Sequence, residues 1–186
     1  MKRLSLQLAS RQDLPLIIQF INEAKQHLKD QGIDQWQDGY PNCESIQADI
    51  TAQKGFVAVY APEETSTPQK IGYLCIDFGG EPAYNTLIGG QWHTATPYAV
   101  VHRFTIGDAF KGKKLANQIF ALVDDYCAAH SMPNFRIDTS PANLKMQHVL
   151  QNHGFAFCGT VFYTSGERFA YDKHIPISFN QSNRKC

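Results

Sequence analysis

One stretch of the chain combines residue types and spacing suited to holding an anion. A β-rich run, Tyr98-Ala-Val-Val-His-Arg-Phe-Thr-Ile106, passes through Gly107-Asp-Ala-Phe110 into Lys111-Gly112-Lys113-Lys114-Leu115-Ala116. From Leu115 onward apolar residues recur at Ile119, Leu122 and Tyr126, the spacing of one helix face. A helix start presents unpaired backbone N–H groups and the positive end of its dipole, and a glycine there lets an anion approach closely. Lysines at that end oppose the dipole, so Lys111, Lys113 and Lys114 beside Gly112 point to a bound phosphate rather than to a solvated cluster. The pattern is not a Walker loop, which needs a second glycine followed by Lys-Ser or Lys-Thr, and its single glycine is too few for a dinucleotide fingerprint.

Further along, Asn143, Met146, Leu150, Gly154 and Phe155 stand at intervals that belong with this turn. Strand, basic turn, helix, strand and helix in this order, with these residues, resemble the GCN5-related N-acetyltransferase family over about residues 4–174, most specifically over 100–155. In that family the turn reads Arg-Gly-x-Gly-Leu-Gly or a close variant; here Lys111 replaces the arginine and Lys114 the second glycine. The resemblance implies an α/β (α+β) fold: a mixed, mostly antiparallel sheet with a splayed parallel strand pair, flanked by helices on both faces. It also implies an N-acetyltransferase that uses acetyl-coenzyme A as co-substrate and lets a primary amine attack the thioester directly.

Carried over residue by residue, the family places the cofactor against Phe104, Thr105 and Ile106 of the strand and against Lys111, Gly112, Lys113, Lys114, Leu115 and Ala116 of the turn. Asn143 would meet the pantetheine arm. Backbone N–H groups around Phe104 would stabilise the oxyanion. The strand glutamate of some relatives is Val100 here, and the tyrosine that often protonates the departing thiolate is Leu150. An alkylamine has a pKa of about 10.4 and needs help to lose its proton. His102, two residues past Val100 and on the same strand face, is the candidate base, and Tyr163 the candidate acid.

The elements that must position these groups follow from periodicity. Leu4, Leu6 and Leu8 alternate as in a half-buried strand, and Ser10 with Asp13 forms a capping box before a helix striped by Leu14, Ile17, Ile18, Ile21 and Leu28. Residues 33–42 are a loop whose Trp36 and Tyr40 offer a substrate-binding surface or a lid over the core. A short helix over 44–52 precedes a hairpin of strands, 56–60 and 71–76. Residues 79–97, rich in Gly and Pro, form an insertion that closes the acceptor side. After the helix from Leu115, a strand at 135–138 is reached by a crossover and so runs parallel to the first. Ser140-Pro141 opens another helix, Gly154 caps it, and 155–164 with 168–174 make a closing hairpin around Ser165-Gly166.

Composition narrows the alternatives. Lys plus Arg equals Asp plus Glu at 17 each, which argues against nucleic-acid wrapping and acidic membranes. No apolar run reaches membrane-spanning length and no signal peptide is evident, so a cytoplasmic protein is expected, one domain over 1–175 with a loose polar tail over 176–186. Cys43, Cys75, Cys127, Cys158 and Cys186 are odd in number and lack CxxC spacing, and none of the seven histidines pair at i, i+4, so no disulfide framework and no metal is expected. The expected partner is a small-molecule or peptide amine, and the protein a monomer or homodimer. Two other functions fit the same letters: a non-catalytic acyl-coenzyme A sensor, and a structural domain whose lysines meet a partner.

Overall fold

The computed structural model describes residues 3–63 and 65–175; the expected tail, 176–186, lies outside them. Seven strands form one sheet: β1 Arg3–Leu8, β2 Gly55–Ala61, β3 Gln69–Asp77, β4 Ala99–Ile106, β5 Asn134–Thr139, β6 Ala156–Tyr163 and β7 Gly166–His174, in the order β1-β2-β3-β4-β5-β7-β6. Every neighbouring pair is antiparallel except β4 with β5, which is parallel. The helices are α1 Leu14–Asp30, α2 Cys43–Thr51, α3 Leu115–Ala129 and α4 Leu144–Asn152.

Alternation along β2 explains the layering. Phe56, Ala58 and Tyr60 join Ile119, Phe120 and Val123 of α3 and Leu150 of α4 in the main core, whereas Val57 and Val59 face Ile17 and Ile21 of α1 and Ile46 of α2. Helices therefore cover both faces, as the resemblance implied. On the α1 face, beside the helices, residues 79–97 cover a third cluster of Tyr84, Val100, Cys158, Val161 and Ala170. This segment is firmly tied: Ile88 bridges Thr160, Asn134 Nδ2 donates to the carbonyls of Ala95 and Pro97 at 2.9 Å each, and the Arg136 guanidinium lies 4.2 Å from the Trp92 ring and 4.0 Å from that of Tyr98.

Two expected helix starts shift. The box of Ser10 and Asp13 forms, but it opens a 3-10 turn, Arg11–Asp13, before α1 begins at Leu14. The helix expected from Ser140-Pro141 starts instead at Leu144. Asn143 wins the capping position because its side chain accepts from Met146 N at 3.2 Å, while its own N–H closes a turn onto the Ser140 carbonyl at 2.9 Å. Gly154, at φ 84°, ends that element as expected, and Phe155 N returns to the Leu150 carbonyl at 3.0 Å.

Leu150 is fully buried against this core. It is a packing residue in the position where a thiolate-protonating tyrosine was sought. Leu150→Ala should lower folding stability by about 2–5 kcal/mol, read as a reduced urea midpoint at unchanged m value; a midpoint within error of the parent would contradict this packing role.

Candidate active site

β4 and β5 pair only at Ala99↔Phe135 and Val100↔Arg136, and then diverge. A cleft of about 1240 Å3 opens in the gap, lined by 101–106 of β4 and by Ile137, Asp138 and Thr139 of β5. Where the ladder stops, the facing backbone edges of both strands are turned toward a ligand rather than toward each other.

At one end of the cleft the chain leaves β4 through Gly107, which must be small because a Cβ there would lie 2.5 Å from the Phe20 ring of α1. Gly112 follows at φ 76° and Lys114, the N-cap of α3, at φ 57°. Lys114 thus holds the left-handed backbone that glycine takes easily, at a cost of roughly 1 kcal/mol or more for an L residue. It replaces the family glycine in identity but keeps the turn. Nothing lies within 4 Å of where a Gly112 Cβ would point, so the approach to this backbone is open.

Phe104, Thr105, Ile106, Lys111, Gly112, Lys114, Leu115, Ala116 and Asn143 all border the cleft. Lys113 does not; its ammonium lies 5.2 Å from the Phe110 ring centre. Lys111 is engaged as well: its Nζ donates to Asp108 Oδ1 at 2.6 Å, and His27 Nε2 lies 2.9 Å from the same oxygen. The charge available to an anion is therefore less than three lysines suggest, and backbone N–H groups carry more of the site. Asn143 spends its Oδ1 on capping α4.

The other end gathers groups from distant parts of the chain. A bulge in β4 places Cys75 opposite His102 and Tyr73 opposite Thr105, with Arg103 at φ 54°. The extra residue breaks strand alternation. His102 and Arg103 consequently face the same side: His102 Nε2 is 3.8 Å from Glu81 Oε2, and Arg103 Nε donates to Asp49 Oδ2 at 2.7 Å. Arg103 also reaches the Tyr40 hydroxyl, while Tyr73 OH donates to Asp49 Oδ2 at 2.7 Å. Trp36 and Tyr40 both line the cleft, and Trp36 also packs against the core on the α1 face.

Neither expected proton-transfer group is well suited to its role. Burial, with the Arg103 charge beside it, pushes the His102 imidazole down to about 4, so it is neutral at pH 7 but a weak base. Tyr163 OH donates to Asp138 Oδ2 at 2.9 Å, and burial together with that carboxylate pushes the phenol far up, which makes it a poor acid. Asp138, which the periodicity did not single out, is a carboxylate placed beside them. It lines the cleft at the end of β5, its Oδ2 accepting from both Tyr163 and Tyr84, the latter at 2.8 Å. Burial pushes its carboxyl above the ordinary range, against the pull of the two phenols, and the Glu81 charge adds to the rise. Apolar and charged residues alternate in Phe135-Arg-Ile-Asp138, so the letters alone did not set Asp138 apart from an ordinary half-buried strand position.

No protein-family model and no curated protein matches this chain. Among solved structures, it is similar to a GNAT-family acetyltransferase from Streptococcus agalactiae, with 32% identity over 92% of this chain and 95% of that one and a TM-score of 0.81. A GNAT-family acetyltransferase from Listeria monocytogenes shares 20% identity over 92% and 94% of the two chains, with a TM-score of 0.68. AAC(6')-Ib, solved with ribostamycin and coenzyme A, shares 18% identity over 98% and 99%, with a TM-score of 0.64. The last two likenesses establish the fold; the first, at its identity and coverage, establishes kinship. The chain belongs to the GNAT family of acetyltransferases, and at the level of that family its chemistry is acyl transfer.

Proposed function

We propose that this acyltransferase moves the acetyl group of acetyl-coenzyme A to a primary amine on a small acceptor, with Asp138 as the base that receives the amine proton. The observation that carries the reading is a single cleft with an open αL turn at one end and the phenol-held carboxylate of Asp138 at the other. Acetyl-coenzyme A supplies the activated acyl group. The turn at Gly112 and the α3 N-terminus suit its pyrophosphate, with Lys111 free to exchange Asp108 for a phosphate oxygen. The edge of β4 around Phe104 suits the thioester, because N–H groups without a β5 partner can donate to the oxygen that gains charge during attack.

On the acceptor side, Glu81 and Asp138 line one cleft, and two carboxylates in one site form an environment that attracts an ammonium. Asp138 then takes a proton from the amine, directly or through a water. The nitrogen attacks the thioester carbon, the C–N bond forms, and the C–S bond breaks to release the thiolate. Tyr84 and Tyr163 act as positioning residues for the Asp138 carboxylate.

Two experiments bear on this reading. Gly112→Asp places a Cβ with no described atom within 4 Å and adds a negative charge at the turn, at a backbone cost of roughly 1 kcal/mol or more at φ 76°; calorimetry should find acetyl-coenzyme A binding lost in a chain that stays folded with a modestly lowered melting temperature, and retained affinity would refute the pyrophosphate assignment. Asp138→Asn should lower kcat with a panel of small amines by about 10²- to 10⁴-fold while KM for acetyl-coenzyme A changes little. The acidic limb of the parent pH profile, where activity falls as pH drops through the raised Asp138 pKa, should vanish in this variant. His102→Ala should leave that limb in place, since the limb belongs to the Asp138 carboxylate in this reading. An unaltered limb in Asp138→Asn would remove Asp138 as the base, and cofactor binding with no thiol release from any amine would favour the sensor.

A further inference from the structure

Away from the cleft, three potential metal ligands from three elements converge: His93 in the 79–97 segment, Cys158 in β6 and Asp172 in β7. None of them lines the cleft. Their donor atoms all lie within 4.8 Å of one another, with His93 Nδ1 3.0 Å from Asp172 Oδ1 and 3.4 Å from Cys158 Sγ. Bond lengths of about 2.0–2.3 Å to a tetrahedral zinc place donors roughly 3.3–3.6 Å apart. Two sides of the triangle are already close to that size, and the third is within 4.8 Å.

We propose that His93 Nδ1, Cys158 Sγ and Asp172 Oδ1 bind one zinc ion, with a water in the fourth position, and that this ion staples residues 79–97 to β6 and β7. Several features support the site. His93 Nδ1 is shared between the Asp172 carboxylate and the Cys158 thiol, which also donates to the Ala156 carbonyl at 3.4 Å, so one imidazole nitrogen already gathers the other two candidate ligands about it. The second carboxylate oxygen is already fixed from outside, Oδ2 accepting from His93 N at 2.7 Å, Thr94 N at 2.8 Å and Thr94 Oγ1 at 3.0 Å, which leaves Oδ1 aimed inward. Thr94 is held in turn by Arg136, whose Nη2 donates to its carbonyl at 2.5 Å. Cys158 and Asp172 are buried, whereas the His93 side chain is 45% exposed, which gives the ion a way in and a place for the water.

The donor set selects the metal. Thiolate, imidazole and carboxylate together favour zinc over calcium or magnesium, which prefer oxygen alone. The charges also balance. On binding, the thiol releases one proton to solvent and the imidazole proton moves from Nδ1 to the outer Nε2, so thiolate and carboxylate together neutralise Zn²⁺.

The test uses the full chain carrying Cys43→Ser and Cys186→Ser, which removes an exposed thiol and one outside the described residues. Cobalt(II) should bind at one equivalent with a thiolate-to-metal charge-transfer absorption, zinc should displace it, release one proton per ion and raise the melting temperature. His93→Ala, at an exposed position that leaves the core intact, should weaken zinc more than about 100-fold, beyond the roughly 10- to 100-fold expected when only a supporting hydrogen bond is lost. Cys158→Ser should abolish the absorption. The proposal fails if the parent gives no charge-transfer band and no rise in melting temperature, or if His93→Ala binds zinc as tightly as the parent.

Discussion

Everything at the active site depends on how little β4 and β5 share. Two residue pairs join them, and then each strand stays bound to its other neighbour, β4 to β3 as far as Ile106 and β5 to β7 as far as Thr139. Hydrogen bonding on the outer edges keeps both strands extended while their inner edges part. A sheet interior, where backbone groups are ordinarily consumed by pairing, is thereby turned into a source of donors. The parallel arrangement contributes, since it sends both strands toward the same end of the molecule, where α3 begins and β5 gives way to the turn before α4.

Charge is arranged around that opening in two separate networks. Arg103, brought to the α2 side by the bulge, is neutralised by Asp49, and both are nearly buried at 11% and 8% side-chain exposure. Breaking such a pair would strand a charge in the interior, so Arg103 is better read as the fixed anchor of Tyr40 and the cleft mouth than as a substrate-binding cation. Asp138 is the opposite case. Its partners are neutral phenols, which orient the carboxylate without cancelling its charge, and burial then raises its affinity for a proton.

Local signals were legible in the sequence and long-range ones were not. The α1 stripe, the Gly154 cap and the turn at Gly112 each depend on residues within one or two helical turns, so their spacing carried the answer. The turn expected before α3 is formed, yet fewer of its lysines are free than their number suggests, because Asp108 and Phe110 engage Lys111 and Lys113 in ways a count of lysines cannot reveal. The bulge at Arg103 has no sequence marker: positive φ usually favours glycine, and an arginine persists there because Asp49 and Tyr40 hold it. Strict alternation would put His102 and Arg103 on opposite faces, whereas the bulge puts them on one. Asp138 was hidden for a related reason, since its importance comes from Tyr84, far upstream, and Tyr163, after the last helix.

The segment between β3 and β4 links these themes. It leaves the half of the sheet built from β1 to β4, grips β6 at Thr160 and β7 at Asp172, and returns to β4 after Pro97. Glu81, which lines the cleft, and Tyr84, which donates to Asp138, ride on the same stretch. A surface loop is normally the part of a fold most freely exchanged when selectivity changes. Here the loop also buckles two half-sheets across the seam where they share only two residue pairs, so lengthening or replacing it to suit a new acceptor would loosen the frame that defines the cleft. Divergence in acceptor choice should therefore be concentrated in side chains along this segment, with its length and its anchor points held constant.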